Sequence, residues 1–315
     1  MWGIAIDVMV VFVVLAVGLW LAGRLAPQAV ARMLIDLQRR SAGLVEKRVR
    51  IPGFEIAYWD GGSGEPLVLV HGLGANKSTF LGVAKILAKR YRTIILDLPG
   101  FGDSDKPIDA DYGIDADVSY LDQFLVALNV PKAHFGGNSL GGWVVAAYAA
   151  RFPEKVGSLW LLAAAGTEDL RASTATKAYL ERHEYLLLVK APDEIRRVLS
   201  LILHRVPPIP YCVLRSMGLR AAADYDLHRR IFDDLVDRAV TFQIEPRLPA
   251  VSAPALLVWG DHDRVVPPSA QDTYHALLPK SEAILLPNIG HVPQMEAPRR
   301  VAEDYLKFRD KLIAG

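Results

Sequence analysis

Gly137-Asn138-Ser139-Leu140-Gly141 lies between the run Ala133-His134-Phe135 and Gly142-Trp143-Val144-Val145-Ala146-Ala147. The stretch reads as a strand, a sharp turn and a helix, with a serine at the apex. A serine hydroxyl is a weak nucleophile in water. It becomes effective where a tight turn presents it to a base and to the N–H groups at a helix start. Glycines on either side let the turn pack against its neighbours while the serine backbone is strained. The five-residue pattern alone is short; the strand before it and the helix after it make it specific.

Working outward, short apolar runs alternate with helical patterns. Strands are expected at 48–51, 55–59, 66–70, 93–97, 133–137, 158–163, 255–260 and 283–286. Helices are expected at 79–90, 117–128, 140–151, 270–278 and 299–312. Such alternation implies an α/β protein with a mostly parallel, eight-stranded sheet covered on both faces. The alternation fails at 166–246, a stretch of several helices with proline breaks at Pro207, Pro208 and Pro210. An insertion of this length in a regular fold reads as a helical cap or lid over the site. The catalytic domain is then residues 47–165 and 247–315. Within the cap, 195–220 carries five arginines and no acid among apolar residues. That mixture fits cap helices packing on each other, and also contact with an anionic lipid surface.

A nucleophilic serine needs a histidine base and a carboxylate to orient it. Of the eight histidines, His291 in Asn288-Ile289-Gly290-His291-Val292-Pro293 follows the last expected strand. Loops at strand C-termini are where α/β sites form. The preceding strand end, Trp259-Gly260-Asp261-His262-Asp263, offers two acids, and the order serine, aspartate, histidine follows. Asp261 reads more readily as a turn residue. His71 and His134 read as structural, and His183, His204 and His228 as surface or packing residues of the cap. Oxyanion donors are expected from the backbone N–H of Leu73, in His71-Gly72-Leu73-Gly74, and of Leu140.

The N-terminus carries a separate signal. Residues 8–23 hold no charge, and 3–23 as a helix would be about 30 Å long, one hydrocarbon thickness. Trp2 and Trp20 bracket it as interfacial aromatics do. The alternative is a cleaved signal peptide, but no Lys or Arg precedes the run and no small-residue cleavage site follows. A transmembrane anchor at 1–24 and a juxtamembrane helix at 25–46 are therefore expected. Val30, Met33, Leu34 and Leu37 recur at helical spacing in the latter, which fits a surface-lying helix and an ordinary connector equally. Arg24, Arg32, Arg39 and Arg40 follow the span, which by the positive-inside rule favours a cytosolic catalytic domain. Gly18 and Ala22 give the small-residue spacing through which such a span forms a homodimer.

Net charge is +1, so no whole-molecule field attracts nucleic acid. Cys212 is the sole cysteine, which excludes an intrachain disulfide, and no cysteine cluster or phosphate-binding loop appears. The chemistry requires neither a metal nor an organic cofactor.

With these residues in place the chain resembles the α/β-hydrolase superfamily. The matching pieces are His71-Gly72, Asp97-Leu98-Pro99-Gly100-Phe101-Gly102-Asp103-Ser104, the Ser139 turn, Trp259 through Pro267, and Gly290-His291. The family's acid lies three residues after the glycine of its motif, so the resemblance selects Asp263 over Asp261. Span, basic juxtamembrane segment and hydrolase order together resemble the membrane-anchored monoacylglycerol lipases and bacterial membrane-bound phospholipase A relatives. The cap resembles theirs at Ala191-Pro192-Asp193-Glu194 and across 226–232. The resemblance implies a lipid substrate, an acyl ester of glycerol or a glycerophospholipid, a fatty-acid product, and residence in the bilayer of a bacterial inner membrane. The bacterial group is thought to face the periplasm, so both orientations stand. A rival enzyme class is the carbon–carbon bond hydrolases of aromatic ring-cleavage products. They also favour Asn before the nucleophile, but they carry Trp after the histidine, where this chain has Val292. A rival of another kind is a non-catalytic lipid-binding protein that kept the fold.

Overall fold

A computed structural model describes residues 18, 21–239 and 243–314. The expected span at 1–24 falls outside these residues except for Gly18 and 21–24, which are helical. Among the described residues no helix is long and apolar enough to cross a membrane.

The first full helix, α1 (Pro27–Ser41), starts with proline at its first position and carries Arg39 and Arg40 in its last turn. Proline lacks only an N–H that would be unpaired there, and the arginines complement the negative helix end. The sheet follows: β1 (Leu44–Ile51), β2 (Phe54–Gly61), β3 (Pro66–Val70), β4 (Arg92–Leu96), β5 (Ala133–Asn138), β6 (Val156–Leu162), β7 (Ala255–Gly260) and β8 (Ser281–Leu286). Their spatial order is β1-β2-β4-β3-β5-β6-β7-β8. From β4 onward in that order every pairing is parallel, whereas β1–β2 and β2–β4 are antiparallel.

The central strands are apolar on both sides because both faces are covered. One face packs against α3 (Ile114–Ala127) and α4 (Leu140–Arg151) through Val118, Leu121, Phe124, Val144 and Tyr148. The other packs against α2 (Leu81–Leu87) and the C-terminal helix through Val83, Leu87, Tyr305 and Phe308. β1 is an edge strand whose middle residues, Glu46, Lys47 and Arg48, are charged and half-buried to exposed, which blunts an otherwise unpaired edge.

Between β6 and β7 the chain leaves the sheet, and the described residues there form α5 (Thr174–Arg182), α6 (Ile195–Ile202), α7 (Tyr211–Ala223) and α8 (Tyr225–Ala239). Val189, Val198, Leu199, Leu203 and Leu214 give this insertion a small core of its own. Ion pairs Arg220–Asp103 (2.7 Å) and Lys106–Asp224 (3.1 Å) join it to the sheet's loops. α1 lies against α7, and Arg24 stacks over the Tyr211 ring at 5.0 Å. One face of α1 is thus buried on the insertion, while Met33 and Leu37 stay exposed. The chain closes with α9 (Ser269–Leu277), the short α10 (Pro293–Glu296) and α11 (Pro298–Ala314).

Candidate active site

Ser139 joins β5 to α4 with φ 56° and ψ −119°, a left-handed conformation that costs a non-glycine residue roughly 1–3 kcal/mol. Its surroundings hold it there. The Ser139 N–H donates to the Leu162 carbonyl (3.1 Å), and its own carbonyl accepts from Trp143 and Ala165 N–H (3.1 and 3.0 Å). The flanking glycines are required by close approach. A Cβ on Gly137 would run into the Gly141 carbonyl, and one on Gly141 into the Val70 carbonyl. Leu140, one residue on, opens α4, where N–H groups have no acceptor within the helix.

The loop after β3 passes beside the serine, so close that a Cβ on Gly72 would lie 3.0 Å from that of Ser139. Leu73 follows in the turn closed by Ala75 N–H on the Gly72 carbonyl (3.2 Å). His71 fixes this loop from below. It is fully buried, its Nε2 accepts from Leu98 N–H (3.1 Å), and its Nδ1 then carries the proton donated to the Gly72 carbonyl (2.8 Å). Burial pushes its pKa down, with Asp97 only partly opposing. Beneath lies a buried ion cluster. Lys77 Nζ contacts Asp97 (2.6 Å) and Asp103 (2.7 Å), and the Lys77 N–H donates to Asp97 (2.7 Å). Burial alone would raise the Asp103 carboxyl; the Lys77 and Arg220 cations overcome it and hold it well below the usual carboxylate range.

Asp263 and His291 meet across the ends of β7 and β8. Asp263 Oδ2 accepts from His291 Nδ1 at 2.8 Å, and Oδ1 accepts from the N–H groups of Val265 (2.8 Å) and Val266 (2.9 Å). Both side chains are buried. Asp261 points elsewhere: its Oδ1 takes Asn288 N–H (2.7 Å) and His262 Nδ1 (2.6 Å), tying the two strand-end turns together. The buried Asn138 side chain spans the serine turn and the histidine loop, its Nδ2 donating to the carbonyls of Leu162 (3.0 Å) and His291 (3.1 Å). The sequence marks Asn138 only as the residue before the serine, and its reach to His291 becomes visible in three dimensions.

The remaining histidines lie apart from this constellation. His134 sits on β5 against Ser158 and Glu65. His183 caps α5, the His204 ring meets that of His262 at a tilt with centroids 4.1 Å apart, and His275 bonds Ser281. His228 is buried over Phe101, its rings 4.9 Å apart. The arrangement has the parts that acyl transfer uses: a strained serine, a carboxylate-held imidazole and a glycine loop beside them.

Comparison with known proteins agrees. The family described as the alpha/beta hydrolase fold matches residues 65–298. The chain is similar to Lipase 3 of Moraxella sp. (strain TA144), with 33% identity over 89% of each chain. It is similar to monoacylglycerol lipase ABHD6 of Homo sapiens, with 27% identity over 90% of this chain and 87% of that one. Its fold superimposes on the crystal structure of a membrane phospholipase A described as a bacterial virulence factor, with TM-score 0.89, 36% identity and all of both chains covered. The chain belongs to the α/β-hydrolase fold family and is one of its serine ester hydrolases.

Proposed function

We propose that the protein hydrolyses acyl esters of glycerolipids, monoacylglycerols, lysophospholipids or phospholipids, with Ser139, Asp263 and His291 as its catalytic triad. The observation that carries the triad is the 2.8 Å bond from His291 Nδ1 to Asp263, with Asn138 linking that loop to the Ser139 turn. Since Nδ1 is committed to Asp263, Nε2 is the ring nitrogen left to serve the serine. His291 Nε2 takes the proton of Ser139 as Oγ bonds to the ester carbonyl carbon. Backbone N–H groups of Leu73 and Leu140 receive the oxyanion. The ester C–O bond then breaks, and the imidazolium returns the proton to the departing alcohol. Water repeats the sequence on the acyl-enzyme, releasing the fatty acid and restoring Ser139.

The lipid substrate class rests on the lipases and the phospholipase A that this chain is similar to. The membrane anchor rests on the uncharged run at 8–23 and on those same likenesses. Gly18 and Ala22 supply spacing for pairing two such spans. The helical insertion 166–246 then serves as the lid over the serine.

The test is hydrolysis by detergent-purified protein of a matched panel: monoacylglycerol, lysophospholipid, diacyl phospholipid, a short p-nitrophenyl ester and a ring-cleavage dienone. Serine-dependent fatty-acid release from the glycerolipids is expected, with Ser139→Ala slower by about 10³-fold or more. Turnover of the dienone alone, or glycerolipid turnover that Ser139→Ala retains, sinks the proposal.

A further inference from the structure

The histidine loop is built as much into the helical insertion as into the sheet. Val292, next to His291, is a member of the insertion's own apolar core with Leu199, Leu203 and Leu214, and Met295 packs on the same cluster. The His291 N–H donates to the Ile202 carbonyl at 2.7 Å. One carboxylate completes the junction. Glu296 Oε1 accepts from Gly290 N–H (2.7 Å), and its Oε2 accepts from the N–H groups of His204 (2.8 Å) and Arg205 (3.1 Å). Gly290 leaves no room for anything else: a Cβ there would lie 2.7 Å from both His204 N and the Ile202 carbonyl oxygen. The acid loop is held from the same place, by Arg264 on the Ser200 carbonyl and by the tilted contact of the His204 and His262 rings at 4.1 Å.

From this geometry we propose that Glu296 is a positioning residue: it clamps the loop carrying the base to the insertion segment 202–205, so that the imidazole is in place only while that segment is docked. The inference rests on the triad reading above. Three backbone donors converge on one carboxylate, and each is an N–H that would otherwise need another acceptor. Two of the three come from the insertion and one from the base loop. A movement that lifts 202–205 therefore strips Glu296 of two donors and His291 of its backbone acceptor at once. Lid movement and base alignment become one event, because the two share a carboxylate, a main-chain bond and an apolar cluster.

The experiment compares wild type, Glu296→Gln and Ser139→Ala on p-nitrophenyl butyrate, which reaches the serine with little help from lipid-binding surfaces. Glu296→Gln presents an amide N–H to one of three N–H groups. Its kcat is expected to fall about tenfold or more with KM within about twofold, and its pH–kcat profile to shift. A Glu296→Gln enzyme with wild-type kcat and an unshifted profile overturns the inference while Ser139→Ala stays inactive. Turnover retained by Ser139→Ala would instead overturn the triad reading. Should Glu296→Gln fail to fold, hydrogen exchange on the wild-type enzyme decides. Peptides spanning 200–208 and 286–297 are expected to open together as denaturant is added. Exchange of 200–208 with 286–297 still protected overturns the coupling.

Discussion

Asn138→Ala removes two hydrogen bonds with a single side-chain truncation. The amide donates to the Leu162 and His291 carbonyls at 3.0 and 3.1 Å, inside a buried turn. Leu162 keeps a second donor, the Ser139 N–H, so its carbonyl is not stranded. Each bond contributes about 1 kcal/mol net, and a buried carbonyl short of its donor adds about 1–2 kcal/mol, so a loss of about 3–4 kcal/mol is expected. For a chain of this size that is a Tm lower by roughly 4–6 °C. The His291 carbonyl is the link between base and nucleophile, so kcat should also fall, by about ten- to a hundredfold. Differential scanning fluorimetry and p-nitrophenyl ester turnover measure the two effects on one preparation. Asn138→Asp should be worse than Asn138→Ala, because a carboxylate would face two carbonyl oxygens. A Tm within about 1 °C of wild type together with kcat within about twofold would refute the bridging role.

Two buried ionisable groups give stability profiles of opposite slope. Burial pushes the Asp117 carboxyl well above its usual range, Asp111 adds to this, and its Oδ1 has no partner among the described residues. The folded state therefore holds the proton more tightly, so its contribution is intact below about pH 4 and is lost as pH rises. Asp117→Asn should raise Tm by about 2–5 °C at pH 8 and give no gain at pH 4; an equal or lower Tm at pH 8 would contradict this. His134 goes the other way. Burial, aided by Arg309, lowers it to about 4, and Glu65 opposes. The unfolded chain takes up the proton near pH 6.5, so stability falls as pH drops from about 6.5 to 4, by on the order of 3 kcal/mol. Urea denaturation across that window should show this loss in wild type and much less of it in His134→Gln; parallel curves would remove the histidine from the account.

Where the sequence was legible, local chemistry and tertiary packing agree. β3, β7 and α4 occupy the residues expected, since glycine or proline brackets each apolar run. β1 starts at Leu44 and not at residue 48, because Glu46 and Lys47 interrupt the apolar pattern after Leu44 and Val45, and pairing with β2 carries the strand through them. The helix expected at 79–90 divides into a 3-10 turn at Lys77–Phe80 and then α2. Asn76 caps that turn, and Asp97 draws in both the N–H and the ammonium group of Lys77. Nothing at Lys77 announces a carboxylate twenty residues away. The sheet is mostly parallel, as expected; its antiparallel part comes from β1 and β2, which precede the alternation of helices and strands and pair antiparallel with each other and, through β2, with β4. At the site, Ser139 lies between the glycines at 137 and 141 and His291 follows Gly290, which is why local reading marks them as candidates, whereas the choice of Asp263 over Asp261 comes from the family resemblance. Asn138 and Glu296 act through main-chain partners at sequence distances of 153 and 92 residues, and no short pattern carries that.

The placement of the helical insertion between β6 and β7 also sets an order of events during synthesis. The Ser139 turn leaves the ribosome first, the insertion next, and Asp263 and His291 only with the last quarter of the chain. β7 must return to pair with β6 across the whole insertion, a closure whose entropic cost grows only slowly with length. On the triad reading, a nascent chain displays its nucleophile long before it owns a base. Ester cleavage is therefore withheld until the sheet has received its final two strands, which makes completion of the chain the enzyme's first activation step.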